Sequence, residues 1–157
     1  MSSYINFFIR PKDDLFIPIG DFSRSTEIYR RFTNEVPYEK ITPISQRLLE
    51  DSIDKIQKEI EHLQQRIIKL HDKIKIIPTY NNRISEKEQL MYEYQTEIEN
   101  IKDDIENNLF FQGILDCYLC MIQTIQYDDN FNVDKDKYIY AGIEVPASIS
   151  EDLIVPV

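Results

Sequence analysis

The sequence predicts an α+β fold: a long antiparallel coiled-coil helical hairpin projecting from a small β-rich head that both termini build. Three observations lead there. A strict heptad of apolar residues runs through the middle of the chain. A second, shorter seam follows it after a few polar residues. Aromatic and β-branched runs, bounded by turn residues, lie near both ends. At 157 residues, 1–157 is expected to be a single domain, with the head at 1–44 and 128–157 and the hairpin at 45–127.

The first element is a hairpin. Tyr4 to Arg10 is aromatic and β-branched, and Leu15 to Phe22 resumes the pattern after the turn cluster Pro11-Lys12-Asp13-Asp14. Pro18 cannot donate to a ladder, so its strand belongs at an edge or a bulge. Ser23-Arg24-Ser25-Thr26 offers several N-cap hydroxyls. Ile28 and Phe32 then stand four apart, which predicts a short helix closed before Pro37. Tyr38 to Ile44 reads as a short extended piece.

The centre carries the strongest signal. Leu49, Ile53, Ile56, Ile60, Leu63, Ile67, Leu70, Ile74 and Ile77 alternate spacings of four and three, the seam of a coiled coil. Ser45 is the expected N-cap, and Pro78 ends or kinks the helix. Tyr80 to Arg83 makes a short connection, which favours an antiparallel neighbour. Ser85-Glu86-Lys87-Glu88 reads as a capping box. Met91, Tyr94, Ile98, Ile101 and Ile105 form the second seam. Residues 62–77 carry +3 and residues 86–106 carry −6, so the two flanks attract in that pairing. From Leu109 to Ile125 apolar residues cover most of the circumference, which predicts a helix buried on nearly all sides. Tyr138 to Val145 alternates as a strand up to Pro146, and Ser148 to Glu151 caps one last short turn.

Composition excludes several classes of function. Ile, Leu, Val and Phe make up 49 residues, enough to build a core, so wholesale disorder is not expected. No uncharged run is long enough to span a bilayer, and the N-terminus lacks the basic segment of a secretory signal. A cytoplasmic location is therefore expected, that of a bacterial cell if the chain is phage-encoded, and no membrane partner. Three glycines leave no glycine-rich nucleotide fingerprint. Two cysteines and two histidines do not make a disulfide framework or a four-ligand zinc site.

Cys117 and Cys120 lie inside a helix among apolar neighbours rather than at a helix N-terminus. They are expected to be buried and to act as small apolar residues. Asp128 to Asp134 begins like a calcium loop, but Val133 stands where such a loop needs Gly and Ile139 where it needs Glu. No nucleophile with an adjacent base is legible. The chain is expected not to be an enzyme, with no catalytic residue, no metal and no cofactor.

Charge gives the leading functional expectation. Residues 85–157 hold sixteen acidic and four basic groups, a balance of −12, whereas the rest of the chain carries +2. Such an acidic half is a poor partner for DNA and a good one for a basic protein surface. The candidate partner-binding strip is Glu93, Glu97, Asp103, Asp104 and Glu106. A non-enzymatic interaction protein is expected, in one form a small acidic phage or mobile-element inhibitor that blocks the nucleic-acid-binding surface of a host enzyme. The Ile-, Asn- and Lys-rich composition, typical of AT-rich genomes, leans that way.

Two alternatives stand beside it. Ser23, Arg24, Ser25 and Thr26, with Arg30 and Arg31, furnish a helix N-terminus that attracts anions, so a nucleotide phosphate is the second candidate ligand. Two hairpins zipping into a homodimer give a structural or assembly protein.

Overall fold

The computed structural model describes residues 3–77, 84–125 and 134–156. Its elements are β1 (Tyr4–Lys12), β2 (Leu15–Ser23), α1 (Glu27–Phe32), β3 (Ile41–Pro43), α2 (Gln46–Ile76), α3 (Ile84–Ile125) and β4 (Ile139–Ile143). Two 3-10 turns, Lys135–Lys137 and Glu151–Leu153, flank β4 in sequence. The four strands form one antiparallel sheet in the order β2-β1-β4-β3, so the fold is α+β. No helix among the described residues is long and apolar enough to cross a membrane.

The chain divides into two compact units, 1–53 with 113–157, and 54–112. The division falls inside α2 and α3, so the ends of both long helices belong with the sheet. The expected connection at Tyr80 to Arg83, Pro78 and the calcium-like stretch Asp128 to Val133 lie outside the described residues.

The sheet unit is organised around Phe7. Its ring stands 6.0 Å from that of Phe22, 5.4 Å from Phe32 of α1 and 5.2 Å from Tyr118 of α3. Residues alternate across a strand, so Phe8 and Arg10 belong to the other face. There the Arg10 guanidinium lies 5.0 Å from the Phe16 ring centre and 5.5 Å from that of Tyr140. It also donates to the Tyr140 hydroxyl and to the Asp13 carbonyl. Every residue of β4 is buried, as a central strand covered on both faces requires.

The β1–β2 turn is tighter than expected. β1 continues through Pro11 to Lys12, and only Asp13 and Asp14 make the turn. Neither has a positive φ, so this is not one of the primed turns that match strand twist. The mismatch is taken up by a register irregularity between Ile9 and Lys12, where Pro11 has no ladder bond to give. Pro18 lies in β2, at the sheet's edge, as its missing donor demands.

Caps define the helix starts. Thr26 caps α1 by accepting from the Tyr29 amide. Ser45 caps α2 by accepting from the Leu48 amide. The Asp136 carboxylate accepts from the Gln46 amide, a second cap for the same helix supplied by a distant segment. All nine residues of the first seam are buried or half-buried, as are the five of the second.

The end of α3 corrects two expectations. It is not buried on nearly all sides: Leu115, Tyr118, Ile122 and Ile125 form one buried stripe, while Leu109 and Phe110 are exposed. Nor are the cysteines buried; Cys117 and Cys120 are both exposed. The physical reason is geometric. A helix lying on one layer buries one stripe, however apolar its other side is. Two positions at i and i+3, off that stripe, remain in solvent.

Candidate functional site

The candidate acidic surface is built within residues 54–112. Leu63, Leu70, Ile98 and Ile101 are buried together, with Ile67, Ile74, Tyr94 and Ile105 packed against them. Three side-chain contacts set the direction of pairing. Gln112 donates to Gln57 at 2.9 Å, Arg66 pairs with Glu97 at 3.3 Å, and the Lys73 ammonium lies 5.8 Å from the Tyr94 ring centre. The α3 partner number falls as the α2 number rises, so here the segments run in opposite directions.

This arrangement separates the five acidic candidates. Glu93, Glu97 and Asp104 share one flank of α3, at spacings of four and seven. Glu97 is engaged by Arg66 of α2, and Glu93 accepts from Gln89 Nε2 at 3.1 Å. The Asp104 carbonyl accepts from Asn108 Nδ2 at 2.9 Å, and its carboxylate is exposed. Asp103 and Glu106 lie on a different face and are exposed.

Glu99, not among the five candidates read from the sequence, extends that outward face by one turn. The signal was available: Glu99, Asp103 and Glu106 are spaced four and three. Lys102 reaches Glu99 at 3.4 Å, a long exposed pair of small electrostatic weight. The face presents three acidic side chains against one basic one. It can attract a cationic surface, and its exposure leaves little desolvation cost until a partner closes over it.

The second candidate site uses most of its own donors and acceptors. The Ser23 and Ser25 hydroxyls bond to each other at 2.9 Å. Thr26 Oγ1 donates to the Ser23 carbonyl and serves as the α1 cap. Arg30 is held by Glu27 and by the Ser25 carbonyl. Arg31 is half-buried, its Nε without a hydrogen-bond partner among the described residues. Arg24 is exposed and lines an open cleft of about 330 Å³ with Tyr29, Arg30, Thr33 and Asn34. Beside it the Tyr29 and Tyr38 hydroxyls bond at 3.2 Å, which raises the Tyr38 pKa above the ordinary tyrosine value. The helix behind this group is six residues long, too short for its dipole to add much.

Among the described residues, no group of three or more His, Cys, Asp or Glu side chains is placed to hold a metal ion. No family model, no curated protein and no solved structure matches this chain.

Proposed function

We propose that this chain is a non-enzymatic interaction protein whose α3 carries an acidic face to a basic surface of a protein partner. In this reading α2 and α3 form an antiparallel coiled-coil hairpin, which makes the acidic face rigid. The partner is of the kind that binds nucleic acid, and the carboxylates take the place of phosphates in its channel. A small inhibitor encoded by a phage or mobile element, acting in the cytoplasm of its bacterial host, is the biological form that fits.

The observation that carries this reading is the outward set Glu99, Asp103 and Glu106, exposed on one line of a chain whose acidic excess lies in the same half. Glu97 plays a different part, because its charge is offset by Arg66.

The test pairs two variants. Asp103→Lys with Glu106→Lys reverses the outward face, and Glu97→Lys reverses the flank. Capture from a bacterial lysate at low and moderate salt, with the captured protein identified and purified, provides the binding assay. A nucleic-acid-binding partner that loses the outward double variant, keeps most affinity for Glu97→Lys and is displaced by DNA supports the reading. A partner that binds the outward variant as well as wild type, or no DNA-displaceable partner at all, overturns it.

A further inference from the structure

We infer that the outward face of α3 at Leu109 and Phe110 docks an amphipathic helix of the partner, apolar along one stripe and flanked by Lys or Arg. This rests on the acidic-face reading above and gives the partner's contact surface a chemistry.

One turn of α3 is inside out. Asn108 is buried, 5 % exposed, with its Oδ1 lacking a hydrogen-bond partner among the described residues. The next two residues are apolar and exposed, Leu109 at 50 % and Phe110 at 64 %. Scattered exposed apolar residues are ordinary. Two adjacent ones are not, where the same turn hides an amide. Phe111 packs edge-on against Phe110 at 5.6 Å and widens the apolar patch.

The patch continues the acidic line. Glu99, Asp103, Glu106 and Phe110 recur at spacings of four, three and four, one face of the helix. From Glu99 to Phe110 that line is about 16 Å long at 1.5 Å per residue. Tyr92, 66 % exposed, lies seven residues before Glu99 on the same face. Aromatic anchors beside a one-signed charge row are what a charged amphipathic helix reads: the rings take its apolar stripe and the row takes its flanks.

Charge selects the occupant. A second copy of the chain would set Glu99, Asp103 and Glu106 against the same acids, with Lys102 already reaching Glu99. An anionic lipid surface would be repelled in the same way. A helix with basic flanks meets both halves of the face.

The probe is an 18-residue Lys/Leu amphipathic peptide, with a Lys/Ser peptide of equal charge as control, followed by fluorescence anisotropy at 150 mM salt. Wild type is expected to bind the Lys/Leu peptide at least tenfold tighter than the control. Leu109→Ser with Phe110→Ser should lose tenfold or more while circular dichroism keeps its helicity, and Asp103→Lys with Glu106→Lys should lose a similar factor. Unchanged binding by the Leu109 and Phe110 double variant overturns the inference. If charge reversal still weakens binding in that case, the acidic-face reading stands alone; if neither change matters, both fall. A wild type that sediments as a dimer, and a Leu109 and Phe110 variant that sediments as a monomer, makes the occupant a second copy and likewise overturns it.

Discussion

The Tyr118 hydroxyl of α3 lies 2.5 Å from the point where a Cβ on Gly20 of β2 would stand. Gly20 is a glycine because a buried ring from another element needs the space, not because the turn of the chain requires it. Gly20→Ala should therefore destabilise the protein by about 1–3 kcal/mol through overpacking. Adding Tyr118→Phe removes the clashing oxygen and should recover part of the loss. Urea unfolding of the two single variants and the double variant gives the coupling directly.

Glu39 and Glu144 have φ values of 62° and 55°, in the left-handed region that side chains disfavour. Glu39→Gly should raise stability by about 1 kcal/mol, the relieved strain exceeding the added freedom of the unfolded chain. Glu144→Gly should gain less, because Ser3 donates to its carboxylate at 2.9 Å and that bond is lost. Thermal melting of both variants against wild type checks the order.

Burial raises the Tyr118 pKa to about 12 from the ordinary tyrosine value of 10.0. The folded state thus holds its proton more tightly than the unfolded state does. This stabilisation is complete below pH 10 and is lost as pH rises toward 12. Absorbance at the tyrosinate band should show a late-titrating group that disappears in Tyr118→Phe, and the variant's stability should fall less steeply across that window.

Cys117 and Cys120 are exposed, so both should be accessible to a thiol reagent in the native protein. A disulfide between them should not form without distortion, since i and i+3 on a helix hold Cβ atoms about 5–6 Å apart and a disulfide needs about 3.5–4.5 Å. Replacing both with Ala should change stability by less than about 0.5 kcal/mol, as for other exposed positions. A slow, protected thiol in the native state would contradict the exposure.

Asn108 is the polar member of an otherwise apolar stripe, with one amide oxygen unsatisfied. Asn108→Leu should stabilise the protein by about 1–3 kcal/mol, the usual cost of a buried unpaired polar group. A buried Asn in a helix seam also favours one register over its neighbours. The Leu variant should accordingly lose some definition in the spectra of Arg66 and Glu97 while melting later.

Periodicity made the long helices legible. Nine seam positions of α2 lie on the buried side, because a heptad repeat and a helix have nearly the same period. The strands were legible from their residue types, and their ends moved by only a few positions. Exposure on α3 was not legible. Leu109, Phe110, Cys117 and Cys120 look as apolar as Leu115 and Ile122, and only the number of layers on the helix tells them apart. The acidic surface was half legible. The count of charges gives the acids and helical spacing separates Glu97 from Asp103, but that Glu97 is the one engaged by a cation of α2 follows only from the position of Arg66. The Asp136 cap on Gln46 spans 90 residues, beyond any local rule.

That cap and the placement of β4 impose an order on synthesis. β4 lies between β1 and β3, yet it is made after both long helices. Until residues 139–143 leave the ribosome, β1 and β2 have no third strand, and the first amide of α2 waits for Asp136. Residues 54–112 pair within their own stretch and can fold first. Closing the sheet then brings β4 beside β1 across the segments outside that stretch, a non-local pairing of the kind that folds slowly. During that interval the β1 edge that β4 will pair stands open and is the edge most exposed to wrong pairing.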